Sequence, residues 1–370
     1  MLYRALISTV LVLGFVSYSS NNDTIRVSAS TMGSVYWGAH IHGDTYGLTV
    51  NPPWSWRPVE LFEAHAEKKM SLLYFGLAWY HAGSFQRFPT QLMDDIRSRG
   101  YIPALEWGSW DYCCGANQEQ FQLAKITNGE FDAYLTQWAL DAREWGHPFF
   151  LAYDVEMNGW WSYPWSEALN DNHAGDYIKM WRHVHDIFVK VGARNVTWVW
   201  SPNIVQSGSK SFLPFYPGDA YVDWVGLDGF NWGTTAGNRW QTFAEVYDYS
   251  YRQLQALMPT KPIMLTQWGS SERGGDKAAW ITDALSTQLP NHYPAIKGIV
   301  WFNWNVPYQG VDWVIESSPA AQAAFAKGIA SDYYSSNFFG ALRGDVIQPL
   351  RPLIPQIVMP PRLYSKNNAR

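Results

Sequence analysis

Short runs dense in β-branched and aromatic residues alternate along the chain with longer stretches in which apolar residues return every third or fourth position. The runs are VYWGAHI from Val35, SLLYFGLAW from Ser71, YIPALEW from Tyr101, FFLAYDVE from Phe149, NVTWVW from Asn195, YVDWVGLD from Tyr221, PIMLTQW from Pro262 and IKGIVWFNW from Ile296, eight in all. Apolar residues fill these runs almost without interruption, which predicts strands buried on both faces. The stretches NGEFDAYLTQWALDAREWG and HAGDYIKMWRHVHDIFVKVG between them predict amphipathic helices. Eight strand–helix units predict an α/β fold, a (β/α)8 TIM barrel, over residues 25–335. A doubly wound sheet is the rival, but no Gly-rich phosphate turn follows the first run.

The pattern changes at both ends. Residues 1–20, MLYRALISTVLVLGFVSYSS, carry a basic residue at Arg4, an apolar run and then small polar residues, the order of a secretory signal peptide. The run is short for a membrane span, so a secreted, extracellular or periplasmic protein is expected, with no membrane contact beyond that segment. Residues 336–370 are rich in proline and basic residues without a helical or strand period, and read as an extended tail whose apolar residues could lie along the barrel.

Composition narrows the partners. A net charge of −5 leaves no basic field for a phosphate backbone, so nucleic acid is not expected as a partner. The 22 Trp and 22 Tyr exceed what core filling asks for, and flat rings with polar edges suit the C–H faces and hydroxyl rims of sugars. Neighbouring cysteines seldom bridge without strain, so Cys113 and Cys114 read as a structural pair in a loop, neither a disulfide framework nor a metal site. The sequon at Asn195 opens a buried strand and is not expected to be glycosylated. No cofactor and no metal are expected, and the chain is expected to be a monomer.

In such a barrel the chemistry gathers where strands end and the next loops begin. The fourth run ends in YDVEMNGWWSYPW, which presents Glu156 with Asn158, Trp160, Trp161, Tyr163 and Trp165 just beyond. A carboxyl crowded by indoles is hard to ionise, which suits a general acid near neutral pH; the bland alternative is a carboxylate paired with a nearby Arg or capping the loop. The seventh run ends in Gln267. Strands four and seven lie on opposite sides of an eight-stranded barrel, so Glu156 and Gln267 are expected to approach within about 5 to 6 Å across the mouth, the spacing of a retaining glycosidase pair, with one charge missing.

Other candidates surround this pair. Trp110 and Tyr112 follow the third run as sugar platforms, and Trp160, Trp165, Trp232 and Trp304 are expected to line the same cleft. Asp228 and Asn231 after the sixth run either bond sugar hydroxyls or cap their loop. His40 and His42, with Asp44 nearby, are more easily a loop-bonded pair than metal ligands. Trp198 and Trp200 read as core.

The motifs VEMNGWWSYPW, WVWSPN, WVGLDGFNWG, QWGSSERGGDKAAWI and VWFNWN together make the stretch from Val35 to Tyr334 resemble glycoside hydrolase family 26. That family includes β-mannanases, mixed-linkage β-glucanases and β-1,3-xylanases. The resemblance implies that Glu156 is the acid/base, that position 267 is the nucleophile, and that Trp301 and Trp304 lie where an aromatic underlies the cleaved sugar. Three positions depart from the family pattern: Gln267 stands for the usual Glu, Val155 for the His that often precedes the acid in mannanases, and Phe230 for a Tyr that commonly contacts the nucleophile. Glu272, five residues on, is too far along the loop to substitute for residue 267. The implied function is a secreted retaining endo-β-glycanase acting on a β-linked polysaccharide such as β-glucan, mannan or xylan, with turnover abolished by Gln267. The alternative is a catalytically silent carbohydrate-binding protein on the same barrel.

Overall fold

The computed structural model describes residues 34–350, apart from 160–162, 168 and 207. Residues 1–20, expected from the sequence to be a signal peptide, and residues 351–370 of the expected tail therefore lie outside the described residues. Eight parallel strands form the barrel: β1 Tyr36–Ile41, β2 Leu72–His81, β3 Ile102–Asp111, β4 Phe149–Tyr153, β5 Val196–Trp200, β6 Trp224–Asn231, β7 Ile263–Ser270 and β8 Ile296–Asn303. Each pairs with its neighbour in sequence, and β1 closes the ring by pairing with both β2 and β8.

Helices pack outside the ring, including α1 Arg57–Ala66, α2 Thr90–Ser98, α3 Asp132–Trp145, α4 Asp176–Val191, α5 Phe243–Leu257, α6 Lys277–Asp283 and α7 Pro319–Ile329. In α3 the buried residues Leu135, Trp138, Ala139, Ala142 and Trp145 recur at helical spacing, and Gly146 at φ 70° ends the helix in the left-handed region. The start of α5 is fixed by a capping box between Thr242 and Glu245. Among the described residues, the connection from β5 to β6 has two 3-10 turns, Leu213–Phe215 and Asp219–Tyr221, in place of a helix.

Because successive side chains alternate faces, each strand feeds two cores. Trp37, Leu73, Trp107, Leu151 and Leu265 point outward into the helix layer. Tyr36, Leu72, Tyr74, Ala104, Phe150, Trp224, Met264 and Val300 fill the lumen.

Residues 336–350 close the floor of that lumen. Phe339, Ile347 and Leu350 are buried with the lumen side chains. Ile347 N donates to Thr197 Oγ1 and Trp224 Nε1 donates to Ile347 O, both at 2.8 Å, while Tyr36 Oη donates to Gln348 O at 3.0 Å. All three partners sit at strand beginnings, so the floor is the end opposite the loops that follow the strands.

Candidate active site

Just beyond β4, Asp154 and Glu156 both adopt left-handed backbone conformations, at φ 41° and 55°, unusual for residues with a side chain. The turn is held from both sides. Ser109 on β3 donates its N and Oγ to the Asp154 carboxylate, each at 2.7 Å, and Glu156 N donates to Ser201 O at 2.7 Å after β5. Burial pushes the Asp154 carboxyl up to about 7 against the lowering effect of the Ser109 bonds.

The Glu156 carboxyl accepts from Asn203 Nδ2 at 2.8 Å on Oε1 and from Tyr163 Oη at 3.4 Å on Oε2. Asn203 is itself fixed by Asn158, whose Oδ1 accepts from Asn203 N at 2.8 Å and whose Nδ2 donates to Asn203 O at 2.9 Å. Asn158 is fully buried, so it orients the group that orients Glu156 and does not reach the cleft. Trp165 behaves in the same way. It is 2% exposed, stacks on Tyr163 with centroids 4.6 Å apart, and donates Nε1 to Val155 O at 2.9 Å, which leaves the half-buried Tyr163 as the outer layer of that stack.

Across the mouth, Gln267 Nε2 donates to Glu106 Oε2 at 2.8 Å. The contact bridges β3 and β7, four strands apart in the ring of eight and so diametrically opposite, whereas the expected partner strand β4 is three strands from β7. Glu106 was not among the residues read as functional from sequence; its only signal was a lone acid in the apolar run YIPALEW. Desolvation pushes its carboxyl up to about 7, while Tyr74 and Gln267 pull in the opposite direction. It sits deep in the mouth yet keeps part of its surface open. The Tyr74 hydroxyl lacks full hydrogen-bond geometry to any described residue, but it is near enough to act on the Glu106 charge.

Asp228 on β6 is a third acid at the same level. It accepts from Ser201 Oγ at 3.2 Å, and burial first, then the Glu156 charge, holds its carboxyl well above the usual range. Asp228 and Asn231 have no exposed surface. Asn231 caps its loop: Oδ1 accepts from Gly233 N and Gln241 N, and Nδ2 donates to Ser270 Oγ. Neither is positioned to bond a sugar hydroxyl.

Two aromatic groups flank the acids. On one side Trp110 packs edge-on against Tyr163 and against the exposed Tyr112. On the other, Trp304 stacks on His42 with centroids 4.0 Å apart and donates Nε1 to Asp44 Oδ2, with Tyr308 exposed beyond it. Trp232 joins this side through Trp313, which also packs on Phe230. Trp301 does not. It is 1% exposed, faces the helix layer against Phe325, and donates Nε1 to Trp313 O, because its position on β8 has outward parity. Trp198 and Trp200 are core. Trp160 lies outside the described residues.

His40 and His42 are packed among Tyr74, Phe302 and Trp304. Burial keeps both imidazoles neutral near pH 7, His42 at about 4 and His40 lower than usual. Glu272 turns away from the mouth, accepting from Ser317 Oγ and Ser318 Oγ. Asn195 spends its amide on Ala142 O and His147 O inside the fold. Cys113 and Cys114 correct the expectation of an unbridged pair: they form a disulfide, in an exposed turn where Cys114 N donates to Asp111 O.

The sequence profile described as glycosyl hydrolase family 26 matches residues 77–264. Endoglucanase H of Acetivibrio thermocellus is 34% identical over 301 residues, 80% of this chain and 31% of that protein. A mannan endo-1,4-beta-mannosidase of Bacillus subtilis is 27% identical over 204 residues, 53% of this chain and 46% of that protein. The chain thus spans less than half the length of either relative. Among solved structures, the catalytic domain of the Bacillus sp. JAMB-750 GH26 endo-beta-1,4-mannanase superposes with TM-score 0.60 at 19% identity, covering 84% of this chain and 89% of that one. The Bacillus subtilis mannanase man26 superposes with TM-score 0.59 at 17% identity, covering 87% and 92%. At those identities the structural likeness speaks for the (β/α)8 fold.

Proposed function

Because the chain belongs to glycosyl hydrolase family 26, we propose that its mouth binds a β-linked polysaccharide, with Glu156 as the proton donor and position 267 as the place of a retaining nucleophile. The observation that carries this reading is the Glu156 carboxyl, held by Asn203 and Tyr163 at a turn strained into the left-handed region, facing a cleft with aromatic rings on both flanks. Such an acid can hand its proton to a glycosidic oxygen while rings stack on the sugars either side. A β-glucan is the favoured substrate: a relative aligned over 80% of the chain is named an endoglucanase, and Val155 stands where mannanases often carry His. Residues 1–20 support export of the protein.

Gln267 changes the chemistry. An amide oxygen is a poor nucleophile and offers no full negative charge to an oxocarbenium-like transition state, so the two-step retaining route through residue 267 is closed. The same residue favours a second reading, a barrel that binds the glycan without cleaving it. Gln267→Glu distinguishes them. Reducing-end release from lichenan, mannan and xylan is expected to rise by about 1000-fold on one of the three. Absence of activity in that variant on every β-glycan tried, with oligosaccharide binding intact, supports the silent binder.

A further inference from the structure

Resting on that carbohydrate reading, we infer that Glu106 is a catalytic base of this barrel: it takes a proton from a water attacking the anomeric carbon while Glu156 protonates the leaving oxygen, so the chain as it stands cleaves a β-linkage slowly and with inversion. The geometry starts from Gln267. Its amide is committed to Glu106 Oε2 at 2.8 Å, so a carboxylate stands one hydrogen bond from the position a nucleophile would fill. An N–H can only donate, so Glu106 Oε2 acts as acceptor toward Gln267, with the Tyr74 hydroxyl beside the same carboxyl. Had residue 267 been Glu, two carboxyls would share that short contact and repel; with the amide they attract.

Of the remaining acids, Glu106 is the one that can meet a water here. Asp228 has no exposed surface, whereas Glu106 is partly open to the cleft. Retaining pairs stand about 5 to 5.5 Å apart and inverting pairs about 6.5 to 9.5 Å, the difference being room for the attacking water. Glu106 stands one hydrogen bond behind position 267, and the inverting step requires its carboxyl to lie at the wider spacing from Glu156. With its carboxyl near 7, Glu106 is available in its basic form around neutrality. In the step, the water oxygen bonds to the anomeric carbon as the glycosidic C–O bond breaks. The water proton ends on Glu106, the Glu156 proton ends on the leaving alcohol, and exchange with solvent resets both acids.

Stereochemistry tests this. The chain as it stands, incubated at high concentration with a soluble β-glucan oligosaccharide and followed by proton NMR, is expected to release the α-anomer first, and Gln267→Glu the β-anomer. Glu106→Gln, checked for folding by its melting curve, is expected to lower the rate of the Gln267 form about 100-fold or more. Glu106→Ala with added azide, which attacks without needing a base, is expected to recover turnover as the α-glycosyl azide. The inference is overturned by a β-anomer from the unmodified chain, by a Glu106→Gln rate equal to the parent, or by no product from the parent while Gln267→Glu is active. Inactivity of both forms together with no oligosaccharide binding removes the carbohydrate reading itself.

Discussion

The two ends of the barrel lumen are built on opposite terms. At the floor, Tyr36, Phe150 and Trp224 are covered by Phe339, Ile347 and Leu350, and the polar atoms there are paired with backbone groups. At the mouth, Asp228 is buried and Glu106 only partly open, with no basic side chain among the described residues to offset the loss of water, and the acid-bearing turn is backbone-strained. One end contributes stability and the other gives it up. The contrast marks the mouth as the place where the fold gives up stability, since carboxyls withdrawn from water without a counter-charge cost more than they return.

The largest expected effect is at the mouth. In the Gln267→Glu background, Glu156→Gln should lower reducing-end release by about 100- to 10,000-fold, with little change in melting temperature. If both activity and stability fall together, the two ends are less separate than the structure makes them.

Next comes the floor. Phe339→Ala removes a buried ring from the plug and should cost about 3 to 5 kcal/mol in urea unfolding, while leaving the rate per folded molecule unchanged at low temperature. A loss confined to activity would mean that the floor segment acts on the mouth.

The third prediction uses pH. Glu106 and Asp154 hold protons up to about 7 in the folded state, whereas an unfolded chain releases them near 4. Between those limits the folded state binds more protons than the unfolded one, so their stabilising contribution, complete below about pH 4, declines as pH rises toward 7. Urea midpoints at pH 4.5 and 7.5 should show that decline, and Glu106→Gln should reduce it. Phe339→Ala should shift both midpoints equally, because the ring it removes does not titrate. The smallest effect is expected from Trp304→Ala, about 1 kcal/mol or more in oligosaccharide affinity measured by titration calorimetry, with stability nearly unchanged because the ring is partly exposed.

Much of this was legible in the sequence. The eight strands begin within three residues of where the apolar runs place them, because strands buried on both faces need unbroken apolar segments. Glu156 and Gln267 stood out as polar groups at the ends of such runs. Glu106 was hidden because nothing in one strand says which residue across the lumen it will meet; its partner is 161 positions away. Trp301 and Trp304 looked alike in VWFNWN, but strand parity turns the former toward the helices and the end of β8 frees the latter. Asn158 and Asn231 carry the polar character of ligand-binding residues and spend it on loops, a distinction visible only once their partners are in place. The floor segment has no period to read, since its apolar residues are spaced to fit the pits beneath the strands.

That floor has a consequence for how the molecule is made. Strand β1 completes its pairing only with β8, and the pit formed by Tyr36, Phe150 and Trp224 is covered only when residues 339–350 arrive. Contacts of such sequence separation are slow to form and cannot begin until nearly all of the described chain has been synthesised. Until then an emerging chain presents a half-ring with two open strand edges and an uncovered aromatic pit, the kind of surface that chaperones retain and that self-associates at high expression. Folding yield should therefore depend on the last dozen described residues far more than their distance from the acids would suggest.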